Sequence, residues 1–132
     1  MPSIKKHIRR FFLFAGFMFV LMTAQAQITD EIIVCMKSGN AKSLSQYFNQ
    51  NVELVVLDND NVYSKAQAQQ IVSNFFSSFS PESFTVLHDV RKEGAKYVIG
   101  NLNTKNGSFR VYFLLKQTDG KDYIHQFRIE KQ

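Results

Sequence analysis

Two histidines, three tyrosines and one glutamate are the residues whose types and spacing could do chemistry. Tyr123, His125, Phe127 and Ile129 stand two positions apart, so in an extended strand they share one face, opposite Ile124, Gln126, Arg128 and Glu130. His88 repeats the pattern with Phe84, Val86 and Val90. An imidazole among apolar neighbours is shifted within the neutral range and can serve as a general base. Isomerase or dehydratase chemistry would also need an inward carboxylate, or a tyrosine hydroxyl that polarises a substrate oxygen. Glu53, on a face with Val55 and Leu57, is the one acid in an apolar strand context, and Tyr97, Tyr112 and Tyr123 are candidate donors. Asp89 alternates away from His88, while Asp58, Asp60 and Asp119 fall in turn signals, so no acid can be paired with a base from the sequence. A lone histidine on an apolar strand face is more often a structural residue with a satisfied hydrogen bond, and that reading carries more weight for His125 and His88.

Other chemistries lack their residues. The sequence holds no glycine-rich phosphate loop, no metal-ligand cluster and no Gly-x-Ser-x-Gly nucleophile motif. Asp58-Asn59-Asp60-Asn61 opens like a calcium loop, but Tyr63 stands where the glycine of position six belongs and Gln69 where the bidentate glutamate belongs. No metal and no cofactor are expected. Cys35, the single cysteine, sits among Ile32, Ile33 and Met36 in a helical pattern and reads as a buried, inert thiol.

The amino terminus sets the compartment. Lys5, Lys6, Arg9 and Arg10 precede the apolar stretch Phe11 to Met22, and Ala24-Gln25-Ala26 follows, the order of a secretory signal peptide cleaved between Ala26 and Gln27. The apolar run is shorter than the roughly 20 residues of a spanning helix, so the membrane is met only during export. The expected destination is the periplasm, with the extracellular space as the alternative. Loss of residues 1–26 leaves 12 basic against 11 acidic residues, so the net charge drops from +5 to +1. The remaining lysines and arginines are scattered among acids, and nucleic-acid binding is excluded on that ground. Residues 27–132 read as one domain with one core.

Helices come first and strands afterwards. Thr29 can cap a short helix running to about Ser38, Gly39 can end it, and Asn40 can cap a second carrying Leu44, Tyr47 and Phe48. Asn51 to Asp58 reads as a strand and Asp58 to Asn61 as a turn. Ser64-Lys65-Ala66-Gln67 matches a capping box, followed at helical spacing by Ala68, Ile71, Val72, Phe75 and Phe79 until Ser80-Pro81. From Ser83 the period becomes two. Breaks at Glu93-Gly94, Asn106-Gly107 and Asp119-Gly120 separate strands near Ser83 to Lys92, Lys96 to Thr104, Ser108 to Gln117 and Asp122 to Glu130, joined as antiparallel hairpins.

The layout is α+β, with a long antiparallel sheet that must curl over the helix to bury Phe75 and Phe79. This order resembles the nuclear transport factor 2-like superfamily, whose curved sheet wraps a long helix into a cone with a pocket. Gly39, the Asn-rich turn before Val62-Tyr63-Ser64-Lys65, the Phe75-Phe76 pair and the closing Tyr123-Ile124-His125-Gln126-Phe127 look like a bacterial family of small exported proteins classed as a domain of unknown function. The resemblance implies a cone pocket, for which Tyr123, His125, Phe127, Phe113, Tyr97 and Phe75 are the lining candidates. It implies no activity, since the superfamily includes isomerases, dehydratases, cyclases and members without catalysis.

Three functions follow as expectations. The first is an exported, non-catalytic module that binds a small apolar ligand or an envelope protein, with a homodimer through the outer sheet face as a companion because Tyr112 and Leu114 would otherwise be exposed. The second is an isomerase, dehydratase or cyclase using His125 or His88. The third is a structural or assembly protein whose cone is filled by its own side chains.

Overall fold

Polar side chains at Asn40 and Ser64 cap two of the helices, and turn residues with positive φ close most of the hairpins. The computed structural model describes residues 28–132; Gln27, the expected signal segment and its cleavage point at Ala26 lie outside them. The chain divides into two units, Met1–Glu31 and Ile32–Gln132. Of the first, residues 28–31 are described and are helical.

Helix α1 covers residues 28–38, so Thr29, expected as its cap, already lies within it. Gly39 ends it at φ 66°, the left-handed conformation that glycine adopts without a Cβ clash. Asn40 then caps α2 (Ala41–Ser45), its side-chain oxygen accepting from the Ser43 N–H at 3.0 Å. Contrary to expectation, Phe48 is not helical but opens β1 (Phe48–Val56), which is followed by β2 (Asn59–Ser64). The turn between them is Leu57-Asp58, and Asn59 to Asn61, expected as a turn, pair as strand residues with Val56, Val55 and Leu54. β2 is an edge strand with almost wholly exposed side chains, so polar residues suffice there and give no apolar signal.

Helix α3 (Lys65–Ser78) begins with the expected capping box. Ser64 Oγ accepts from the Gln67 N–H at 3.3 Å and Gln67 Oε1 accepts from the Ser64 N–H at 3.2 Å. Its buried stripe is Ala68, Val72, Phe75 and Phe76. The chain then runs through β3 (Pro81–Lys92), β4 (Ala95–Thr104), β5 (Gly107–Thr118) and β6 (Lys121–Lys131). Glu93-Gly94 and Asp119-Gly120 have φ values of 52°, 78°, 53° and 80°, the doubly positive pairs that match strand twist in a two-residue hairpin. The third hairpin turns instead on Lys105-Asn106, because Thr104 pairs directly with Gly107.

The strands form one unclosed, curved sheet in the order β2-β1-β6-β5-β4-β3. All pairings are antiparallel except β1 with β6, where the hairpin joins the meander in parallel. Register shifts interrupt β3 at Leu87 and β6 at His125, and each turns the following residues to the other face. Among the described residues no helix is long and apolar enough to cross a membrane.

Candidate functional site

The side of the sheet that meets α3 is occupied by phenylalanine. Phe75 of α3 stands 5.0 Å from Phe109 of β5, ring centre to ring centre, and Phe79 closes the trio at 5.0 Å from Phe75 and 4.9 Å from Phe109. Phe48 meets Phe127 edge-on at 5.7 Å. Phe75, Phe113 and Phe127, expected to line a pocket, are 4 %, 2 % and 0 % exposed. Gly100 marks how closely this side is filled: a Cβ there would lie 2.3 Å from Phe84 Cζ, so the ring packs onto bare backbone. These rings interdigitate as a core.

The opposite face carries the open surface. Register places Val62, Glu53, Gln126, Leu114, Tyr97 and Val90 in one row across all six strands. A second row runs Asp60, Val55, Arg128, Tyr112, Ile99 and His88. Between them Tyr97, Ile99, Tyr112 and Leu114 make a shallow apolar groove of about 150 Å³, bordered by Gln126 and Arg128. Tyr97 is 46 % exposed there, while Leu114 is buried in the floor. A wider polar groove of about 360 Å³ adjoins it, with Glu53, Asp60 and Arg128 among its lining. Arg128 donates to Glu130 Oε1 at 2.7 and 3.1 Å, and this bond, aided by Asp60, holds its guanidinium above the ordinary arginine range.

The expected acid and base groups do not converge. His88 is exposed on the edge strand β3, beyond the Leu87 bulge. His125 is three strands away, roughly 14 Å at the usual strand spacing. The face expected for Tyr123, His125, Phe127 and Ile129 is broken at His125, where β6 carries one residue more than β5, so Ile124 and Phe127 are both buried and His125 is half-buried. Its Nε2 lies 3.3 Å from Thr118 Oγ1. Burial, reinforced by the Lys116 ammonium, pushes its pKa below the ordinary value. Glu53 is exposed and accepts from Gln126 Nε2 at 2.9 Å. Tyr97 belongs to the apolar groove and Tyr123 to a separate polar recess beside Lys121. Among the described residues no three histidine, cysteine or acidic side chains gather to hold a metal ion.

Gln126 and Arg128 border the groove without having been singled out from the sequence. Their signal was there: both alternate onto the face opposite Phe127, as Tyr112 and Leu114 alternate opposite Phe113 on β5.

Residues 29–130 match the family model of a domain of unknown function, DUF4783. A crystal structure of a DUF4783 family protein from Bacteroides uniformis is 33% identical, with a TM-score of 0.75 over 78% of this chain and 95% of that one. Its counterpart from Bacteroides ovatus is also 33% identical, with a TM-score of 0.74 over 77% of this chain and 93% of that one. An NTF2-like protein of unknown function from Cytophaga hutchinsonii shares the fold at 10% identity, with a TM-score of 0.57 over 79% of this chain and 86% of that one. No curated protein matches the chain in sequence.

Proposed function

The chain belongs to the DUF4783 family, a domain of unknown function with the nuclear transport factor 2-like fold, and we propose that it is an exported, non-catalytic module that binds a protein partner in the envelope through the outer face of its sheet. One observation carries this reading: the side where a ligand pocket was expected is filled by Phe48, Phe75, Phe109, Phe113 and Phe127, while the apolar groove of Tyr97, Ile99, Tyr112 and Leu114 lies on the outer face. For the apolar groove, size supports a partner over a ligand. A groove of about 150 Å³ falls below the roughly 300 Å³ at which small-molecule sites begin, and suits one or two side chains of another protein. Half-exposed tyrosines over a buried leucine, with Arg128 and Gln126 at the rim, have the composition of an interface anchor. Export rests on the charge and apolar order of residues 1–26.

Native mass spectrometry of the protein from the envelope fraction tests this. The expected species begins at Gln27 and carries the mass of a second protein, either another chain or another copy of itself, and Tyr97→Glu releases that mass without lowering the melting temperature. A monomer with no added protein, or an added mass indifferent to Tyr97→Glu, overturns the reading. A bound small molecule in its place would return weight to the ligand alternative.

A further inference from the structure

The parallel pairing of β1 with β6 comes apart in its middle. Phe48 pairs with Ile124, yet the next paired residues are Glu53 and Gln126, so residues 49–52 of β1 stand against His125 alone. Asn51 and Val52 are held on their other side by Ser64 and Tyr63 of β2, and Asn49 Nδ2 donates to the Asn51 carbonyl at 3.2 Å, so the opening is built into an anchored strand. Such interruptions leave strand polar groups without ladder partners and re-aim side chains.

A recess of about 670 Å³ lies here, lined among others by Asn49, Asn51, Lys65, Asp119, Lys121 and Tyr123, a size within the usual range of small-molecule sites. Its groups come from three rigid supports. Lys65 is the first residue of α3, with its ammonium 3.5 Å from the Gln46 carbonyl. Asp119 is the first residue of the positive-φ turn of the β5–β6 hairpin and Lys121 the first residue after it, and Tyr123 is half-buried just beyond.

The chemistry of that lining is specific. Two ammonium groups against one carboxylate favour an anion. The asparagine amides and the Asp119 carboxylate donate to and accept from hydroxyl groups. The Tyr123 ring offers a flat apolar surface with a polar edge. We propose that this recess binds an acidic saccharide, a hydroxyl-rich sugar ring bearing a carboxylate, with Lys65 and Lys121 on the carboxylate and Tyr123 against the ring. This site is separate from the apolar groove and does not depend on it.

Amide chemical shifts of the purified, isotope-labelled chain, titrated with a galacturonic acid trimer, a neutral galactose trimer and sodium sulfate, test the assignment. The acidic trimer is expected to move the resonances of residues 49–52 and 118–123, with binding that weakens as salt is added. Lys121→Gln should weaken it about fivefold, Lys65→Gln about as much, and the pair more than tenfold, from the usual strength of charge-assisted bonds at exposed sites. Tyr123→Leu should weaken both sugars where Tyr123→Phe does not. Tyr97→Glu should leave the titration unchanged, which separates this site from the proposed interface. Equal binding of the neutral trimer, equal binding of sulfate, or no shift from any probe in a well-dispersed spectrum overturns the proposal.

Discussion

Gln126 Nε2 donates to Glu53 Oε2 across 2.9 Å, joining the first strand of the chain to the last over 73 positions of sequence. The bond sits on the outer face at the first rung after the opened stretch of the parallel ladder, so it ties β1 to β6 where backbone pairing resumes. It also occupies the one acid that a catalytic reading would have used. A double-mutant cycle with Glu53→Ala and Gln126→Ala should give a coupling of about 0.5–1 kcal/mol in urea unfolding, the range of an exposed charge-assisted pair. A coupling near zero would mean that the side chains merely coincide.

What could be read from the sequence was local. The Ser64–Gln67 box, the Gly39 stop, the Asn40 cap and the Asp119-Gly120 turn each depend on residues within four positions, and all stand as expected. The face of His125 did not, because counting by twos fails beyond a bulge, and the bulge exists only through the shifted pairing of β6 with β5. The β2 strand was hidden because its edge position asks for no apolar residue. The polar recess was hidden for a longer-range reason: it exists where β1 parts from β6, and no neighbouring residues announce that parting. Phenylalanines expected around a pocket were recognised as inward residues, but whether they line a space or fill it is decided by packing among α3, β5 and β6.

Packing at Gly100 has a direct test. Adding one methyl group by Gly100→Ala places it 2.3 Å from Phe84 Cζ, so the buried ring or the strand beneath it must shift. The substitution should cost about 1–3 kcal/mol by overpacking. In the Phe84→Leu background the same change should cost at least 1 kcal/mol less, since the six-membered ring is gone. Chemical denaturation of the four proteins measures both values, and equal costs in the two backgrounds would place the strain elsewhere.

Leu57 turns the β1–β2 hairpin at φ 55°, a conformation that costs a branched side chain about 1 kcal/mol. Its N–H is nevertheless held by the Ile129 carbonyl at 3.2 Å, so the strained residue anchors the hairpin to β6. Leu57→Asn keeps the N–H and relieves the strain, and should raise stability by about 0.5–1 kcal/mol. Thermal unfolding reads this as an upward shift of a few degrees. A downward shift would show that the Leu57 side chain contributes more by packing than its backbone costs.

His125 should make the fold sensitive to acid. Burial and the Lys116 ammonium hold its pKa below the ordinary 6.5. Between that lowered value and about 6.5 the unfolded chain takes up a proton that the folded chain refuses, so stability falls as pH drops through this window and is unaffected above it. His125→Gln removes the proton site while keeping a partner for Thr118, and should flatten the stability profile between pH 7.5 and pH 5 relative to the unaltered protein. Lys116→Gln should flatten it less, because it removes the second cause and leaves burial. The urea midpoint at each pH gives the comparison. A general base would add a different signature, an activity that vanishes with His125→Gln, whereas a bulge residue bonded to Thr118 changes only the slope. Parallel profiles for the unaltered protein and His125→Gln would show that the ring is solvated in the folded chain and that its place in the β6 bulge has no electrostatic consequence.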